Sequence, residues 1–305
     1  MNGSRTPSKN DDRRTELRTI ADATLEAIKR GSYDLNDTHY DLSLQISTEK
    51  ARYYAPDSML SAWSSVILAR NASPTLRGEI SIVEVSTLEG ARSLAIQATP
   101  DGPSHAVSKV GVLNFASAKK PGGGFINGAQ AQEESIARSS TLYPTLVTRT
   151  AKQFYDLHNR NPKGGYYSHA MIYSPSVTVF RDDSGAWIEP YQVNIITSPA
   201  VNAGVVRQGA IPGSEEAKIA QVMRERMARI LFLFERQGVK DVVLGSFGTG
   251  VFRNSVEAVA NIWVDLLVAD NARFKNSFDH VVFAILGRET YDNFRRVFEA
   301  RTGSA

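Results

Sequence analysis

From residue 79 onward, short apolar segments alternate with amphipathic segments of helical period, and this alternation limits the possible folds more than any other feature. Strands are predicted at 80–85, 110–114, 177–180, 193–197, 241–244 and 280–286. Helices are predicted at 87–96, 214–238, 255–268 and 289–298, with helical pieces between 135 and 158 that break at Pro144. Strands that alternate with helices predict an α/β fold, in which helices cover both faces of one sheet.

The first 78 residues are less regular. The apolar positions of 15–30 fall on one helical face, and Gly31 follows where a C-terminal cap belongs. A short strand is predicted at 40–44 from its alternating pattern. Residues 1–14 are polar and are expected to form a disordered tail.

A glycine-rich stretch follows the predicted strand 110–114. Gly122, Gly123 and Gly124 are adjacent, and Gln132-Glu133-Glu134 begins after seven intervening residues. Glycine has no Cβ, so such a loop can bring its backbone N–H groups close to an anion. Two carboxylates just beyond the loop suit acid chemistry on a sugar that carries a phosphate.

A second glycine loop, residues 245–254, follows strand 241–244 and opens a helix. Its central residues are Gly248-Thr249-Gly250-Val251-Phe252. The N–H groups of this loop and of the helix N-terminus suit a diphosphate, and both loops occupy the carboxyl ends of strands, where α/β folds bind ligands. The glycine spacing is neither that of a triphosphate-binding loop nor that of a dinucleotide-binding fingerprint.

Composition excludes several function classes. The chain has no cysteine and only five scattered histidines, so we expect no metal site built from these residue types; a hard cation held by carboxylates stays an open alternative. No cofactor is expected. The net charge is only +3, and the sequence contains no block of basic residues. We therefore expect no direct binding to nucleic acid. No apolar run reaches the roughly 20 residues of a membrane span. An intracellular location, in cytoplasm or nucleus, is expected.

These residues resemble those of the bacterial-type (microbial) poly(ADP-ribose) glycohydrolases, which are built on a macrodomain. Their signature is three glycines, a short spacer and Gln-Glu-Glu. The resemblance extends to the segments 112–116, 172–175, 179–182, 197–202 and 248–252 and covers roughly residues 14 to 300. It implies a three-layer α/β/α macrodomain with a mixed central sheet. A single catalytic domain would span 15–300 and include an N-terminal helical extension at 15–78.

The resemblance also implies roles for individual residues. Glu134 would be the catalytic acid, and Glu133 would contact ribose hydroxyls and order the site. Val251 and Phe252 would position the terminal ribose, and Asn114 would bind ribose. The triglycine loop would follow the diphosphate. The further ligand-binding candidates are Gln132, Gly248, Thr249, Gly250 and Asn202.

The implied reaction is hydrolysis of the ribose–ribose O-glycosidic bond from chain ends, which releases ADP-ribose from poly(ADP-ribose) on modified proteins. Glu134 would protonate the departing oxygen and then deprotonate the attacking water. A monomer without cofactor is expected. Two alternatives stay open: a reader module that binds ADP-ribose without cleaving it, and a hydrolase of mono-ADP-ribose.

Simpler interpretations also stay open for single residues. Asn114 and Asn202 fit local turns, and Asn254 fits a cap of the helix that follows it. Phe252 fits a core aromatic. Arg138, close to the glutamates in sequence, fits a surface ion pair.

Overall fold

A computed structural model describes residues 9–42, 44–66, 78–97 and 110–303. Their helices are α1 Lys9–Arg30, α2 Gln45–Glu49, α3 Thr87–Gln97, α4 Gln132–Ser139, α5 Leu142–Leu146, α6 Arg149–Arg160, α7 Ala203–Gln208, α8 Glu216–Arg236, α9 Val256–Leu267 and α10 Arg288–Thr302. Their strands are β1 Ser32–Leu35, β2 Thr38–Asp41, β3 Arg52–Tyr54, β4 Glu79–Val83, β5 Val110–Phe115, β6 Met171–Arg181, β7 Trp187–Ser198, β8 Asp241–Leu244 and β9 His280–Ala284.

Seven of these strands form one mixed sheet in the order β3-β6-β7-β5-β8-β9-β4. β5 is parallel to both of its neighbours, β7 and β8, and the parallel arrangement continues through β9 to β4. β6 and β3 add an antiparallel edge. The carboxyl ends of six strands, all except β6, therefore share one edge of the sheet, and both glycine loops begin at that edge.

Helices cover both faces of the sheet, as the alternating pattern predicts. On β5, Val112 packs into the cluster that contains α3 to α6, whereas Leu113 packs into the cluster that contains α8 to α10. Val243 and Val242 of β8 divide between the two clusters in the same way. Because successive strand residues face opposite sides, this division requires a layer of helices on each side. The α/β/α fold class is confirmed.

Helix α1 begins at Lys9, so residues 9–14 are helical and the expected disorder of 1–14 does not hold for them. Residues 1–8 lie outside the described part of the chain. The predicted strand at 40–44 corresponds to β2, which pairs with β1 in a hairpin over 32–41; residue 43 is not described.

The helical pieces of 135–158 are real, but Pro144 does not separate them. It lies in the first turn of α5, where its missing N–H costs no intrahelical hydrogen bond. The breaks fall instead before α5 and before α6, where Thr148 caps α6 by accepting a hydrogen bond from Ala151 N–H.

Candidate active site

The first glycine loop leaves the end of β5 and turns sharply through two left-handed glycines. Gly122 and Gly123 have φ angles of +66° and +59°. A Cβ on Gly123 would overlap with the Glu134 carboxylate, so this position combines a left-handed backbone with a close approach. The loop can therefore be built only with glycine at Gly123.

Glu134 lies in the first turn of α4, half-buried, with its carboxylate turned back onto the loop. Oε1 accepts a 2.8 Å hydrogen bond from Gly124 N–H, and Oε2 accepts one of 3.2 Å from Ala131 N–H. The bond from Ala131 N–H is one of the two hydrogen bonds of a capping box, in which the N3 glutamate bonds the N-cap backbone. The other bond is missing, because the N-cap alanine has no side-chain oxygen that could accept from the N3 N–H. Both carboxylate oxygens are thus fixed by backbone donors at the carboxyl edge of the sheet.

Glu133 points into the protein, and its role differs from that of Glu134. It is 2% exposed; its carboxylate accepts a 2.6 Å bond from Ser117 N–H and a 3.3 Å bond from the Asn114 amide. Burial raises the pKa of Glu133 to about 8, although the Ser117 and Asn114 donors act in the opposite direction. Burial therefore favours the protonated form of this side chain compared with an exposed glutamate.

Gln132 behaves as an extension of the sheet. Its amide oxygen accepts from Phe115 N–H at 2.8 Å, and its Nε2 donates to the Leu113 carbonyl at 2.7 Å and to Thr87 Oγ1 at 3.2 Å. These contacts anchor the start of α4 to β5 and to α3. The structure thus gives Gln132 a positioning role, and direct ligand contact stays a prediction.

Asn114 lies at the carboxyl end of β5 and is fully buried. Its Nδ2 donates to Glu133 and, at 3.1 Å, to Thr197 Oγ1 of β7. No described residue forms a hydrogen bond with its Oδ1, which is buried. The side chain thus orders Glu133 against β7, and its predicted ribose contact remains a prediction.

The second glycine loop packs against the end of β5 through two aromatic rings. Phe115, the last residue of β5, packs against the buried Phe247 of the loop with ring centroids 5.5 Å apart. Gly248 has a φ of +76°, and a Cβ there would overlap with Ala200. The loop is thereby held against both β5 and the segment that follows β7.

Residues 249–252 present different surfaces. Thr249 caps its own turn through Ser246, and its N–H and hydroxyl both donate to that carbonyl. A Cβ on Gly250 would meet only open space, and Val251 is 83% exposed. The Phe252 ring lies against Tyr167 at 6.0 Å between centroids. Val251 and Phe252 are therefore neighbours with an open and a packed environment, respectively.

Asn254 and Asn202 hold the loops. Asn254 is not the cap of α9, as the sequence suggests: Ser255 is, and it accepts from Ala258 N–H. The Asn254 amide instead donates to the carbonyls of Val201 and Gly248, at 2.7 and 2.9 Å, because it is buried between them. Asn202 caps α7 by accepting from Val205 N–H. Its ribose contact stays a prediction.

Three supporting residues have roles that sequence analysis does not predict. Arg138 is buried and donates to the Ala129 carbonyl, so the expected surface ion pair is wrong. Arg226 is buried and donates to the carbonyls of Pro199 and Tyr166. The third is Tyr167, the partner of Phe252. Only Arg226 carries a signal, because it interrupts the apolar face of α8.

The described residues contain no group of three or more His, Cys, Asp or Glu side chains placed to hold a metal ion. None of the helices in the described ranges is long and apolar enough to span a membrane.

Fold and site together define a macrodomain-like α/β/α hydrolase with a carboxylate fixed on a glycine loop. The model of the microbial-type PARG (poly(ADP-ribose) glycohydrolase) catalytic domain matches residues 21–182. The chain belongs to this family. The expected fold and the expected enzyme class, a glycosidase, are thereby confirmed. No curated protein matches the chain significantly.

Solved structures of this family resemble the chain over almost its whole length. The poly(ADP-ribose) glycohydrolase from Thermomonospora curvata is 36% identical, with 94% of this chain and 99% of that chain covered and a TM-score of 0.81. Its complex with the inhibitor ADP-HPD gives 36% identity, 92% and 99% coverage, and a TM-score of 0.78. The Deinococcus radiodurans enzyme in complex with ADP-ribose is 32% identical, with 88% and 99% covered and a TM-score of 0.72.

Proposed function

We propose that this protein hydrolyses the ribose–ribose O-glycosidic bonds of poly(ADP-ribose) from chain ends and releases ADP-ribose. The observation that carries the proposal is the Glu134 carboxylate, which the Gly124 N–H holds at 2.8 Å beside the triglycine loop. Family membership and the ADP-ribose and ADP-HPD complexes of similar proteins support the same substrate class.

In the proposed mechanism Glu134 protonates the departing ribose oxygen and then takes a proton from the attacking water. The terminal diphosphate lies between the two glycine loops, where backbone N–H groups and the N-terminus of α9 favour an anion. Its negative charge stabilises the oxocarbenium-like transition state. Because Glu133 is buried and already bonded to Ser117 and Asn114, it orders the site rather than acting as a second charged catalyst.

The assignment of Glu134 is tested with Glu134→Gln, which keeps the shape of the side chain and one of its two acceptor oxygens. We expect ADP-ribose binding within about twofold of wild type and a loss of turnover on the order of 10²- to 10⁴-fold. Glu289→Gln, at an exposed first-turn glutamate of α10, is the matched control and should retain full turnover. Near-normal turnover by Glu134→Gln would exclude it as the acid.

Incubation with a poly(ADP-ribosyl)ated acceptor protein tests the reaction itself. Free ADP-ribose with a mono-modified acceptor left behind is the expected result. Removal of the last unit would indicate a hydrolase of mono-ADP-ribose, and binding without product would indicate a reader module.

We further propose that the enzyme is a monomer that acts inside the cell on ADP-ribosylated proteins, without direct contact to nucleic acid.

A further inference from the structure

Helix α1 is docked directly onto the turn that follows the triglycine loop. A Cβ on Gly128, which has a φ of +74°, would overlap with the backbone carbonyl of Arg14. Ala21 of α1 packs with Phe125 and Ala137 in a small apolar cluster. Thr24 completes the contact by donating to the Arg138 carbonyl at 2.6 Å. The helix is thus a fixed wall beside the loop.

Two arginines of this wall are aimed by a single carbonyl. Arg14 and Arg18 are one turn apart on α1 and are both exposed. The Nε of each donates to the Asn127 carbonyl, at 2.9 and 3.3 Å. Within the described residues, neither guanidinium forms an ion pair and neither uses its terminal nitrogens in a hydrogen bond. Each keeps a free fork of donors suited to phosphate oxygens.

The Asn127 carbonyl, which anchors both arginines, is linked to the proposed acid through Gly124. Asn127 N–H donates to the Gly124 carbonyl at 2.9 Å, and Gly124 N–H in turn donates to Glu134. A third arginine lies close to Asn127, because Arg138 donates to the Ala129 carbonyl. Glu16, an acidic side chain of the same helix, is paired with Arg13 at 2.7 Å.

The second glycine loop packs on the end of β5, which is a different part of the site from the turn that α1 contacts. It follows β8, the neighbour of β5, and its Phe247 packs against Phe115, whereas α1 contacts the turn at 125–128. A terminal ADP-ribose held between the two loops would therefore be cleaved beside Glu134. The turn at 125–128, which α1 contacts, directly follows Gly124, the residue that holds Glu134.

We propose that Arg14 and Arg18 form a second phosphate subsite, which binds the diphosphate of the next ADP-ribose unit on the leaving-group side of the scissile bond. This inference rests on the proposed function. It gives the enzyme a preference for polymer over a single ADP-ribose unit, because only a polymer reaches both the loops and α1.

The test is a binding comparison in a Glu134→Gln background, which keeps the polymer intact. Its probes are protein-free poly(ADP-ribose) oligomers of defined length and ADP-ribose. The variant is Arg14→Gln/Arg18→Gln, and Lys29→Gln/Arg30→Gln removes the same charge from the far end of the same helix as a control. We expect the variant to lose about 5- to 20-fold in oligomer affinity, as two exposed charge-assisted contacts allow. ADP-ribose affinity should stay within about twofold of the background.

Salt dependence separates a phosphate contact from a structural role. The slope of log affinity against log salt for the oligomer should fall by about 0.7 for each phosphate that the variant no longer neutralises, as for single-stranded polyanions. Arg14→Lys/Arg18→Lys should restore most of the slope, because charge is kept. The control pair should change neither slope nor affinity.

Two results would overturn the subsite. They are an unchanged oligomer affinity and an equal loss for ADP-ribose and oligomer. Failure of the wild type to release ADP-ribose would instead overturn the proposed function, and the oligomer comparison would still decide whether the subsite exists.

Discussion

Gly124 and Glu134 are joined by a 2.8 Å hydrogen bond from backbone N–H to carboxylate, across the ten positions that separate loop from helix. The bond makes the orientation of the proposed acid depend on the shape of the loop. A change in the loop can therefore reach the chemistry without altering any side chain that binds substrate.

Gly123→Ala should abolish most turnover. The added methyl group would overlap with Oε1 and lie 2.8 Å from the carboxyl carbon of Glu134, so the carboxylate must move from its backbone donors. A catalytic group displaced by about 1 Å can lose on the order of 10²-fold in rate. Steady-state kinetics with poly(ADP-ribose) provides the measurement.

Gly213→Ala is the matched control for this change. Gly213 has a φ of +81°, but a Cβ there meets nothing within 4 Å, so the variant carries the same left-handed backbone cost without the overlap. It should lose about 1 kcal/mol of stability and no specific activity. Equal losses of activity in the two variants would attribute the effect to backbone strain.

The buried Glu133 should make stability fall as pH rises. Its pKa is raised from 4.5 to about 8, so in that interval the folded state holds a proton that the unfolded state has lost. The stabilising contribution is complete below pH 4.5 and is lost as pH rises toward 8, at up to about 1.4 kcal/mol per pH unit. Glu133→Gln should flatten this dependence in urea unfolding at a series of pH values.

The exposed Glu257→Gln variant provides the comparison for that series and should keep the wild-type pH profile. Parallel profiles for wild type and Glu133→Gln would show that Glu133 titrates alike in the folded and unfolded chain.

Tyr167→Ala should weaken substrate binding through Phe252. The Tyr167 ring lies between His158 at 5.7 Å and Phe252 at 6.0 Å, so its removal frees the loop aromatic. The loss of one aromatic pair predicts a rise in KM of about 2- to 10-fold. Tyr167→Phe keeps the ring and should keep the KM; an equal rise in both variants would implicate the hydroxyl instead.

Arg226→Lys should destabilise the fold. The fully buried guanidinium donates to the Pro199 and Tyr166 carbonyls, at 2.9 and 2.8 Å, and one ammonium cannot reproduce this planar fork. We expect a loss of about 1–3 kcal/mol in the free energy of unfolding, measured with urea. Arg224→Lys, on the exposed face of the same helix, should stay within about 0.5 kcal/mol of wild type; a similar loss there would contradict the assignment.

The sequence predicts the parallel part of the sheet well, because β5, β8 and β9 are short apolar runs followed by loops or helices. It predicts only parts of β6 and β7, at 177–180 and 193–197, whereas the strands span Met171–Arg181 and Trp187–Ser198. The parts that the sequence does not predict, 171–176 and 187–192, contain polar residues and prolines. They are strands because β6 and β7 pair with each other, and the local sequence pattern does not indicate them.

At the site, the spacing from triglycine to Gln-Glu-Glu predicts that loop and carboxylates meet. It does not predict that Gln132 binds the backbone of β5, or that Asn254 joins two loops while Ser255 caps the helix. Those roles depend on contacts between residues distant in sequence, such as Asn254 with Val201. Capping preferences alone favour asparagine and serine about equally, so local sequence could not decide between them.

The close contact between Gly128 and the Arg14 carbonyl limits how far the N-terminus can be truncated. The family match begins at residue 21, yet the chain that closes over the glycine loop begins before it. A fragment cut at residue 21 would retain every proposed catalytic side chain, but it would lose the Arg14 backbone that packs on Gly128 and both arginines that bond the Asn127 carbonyl. Such a fragment can be complete in its chemistry and still unable to keep its loop in shape.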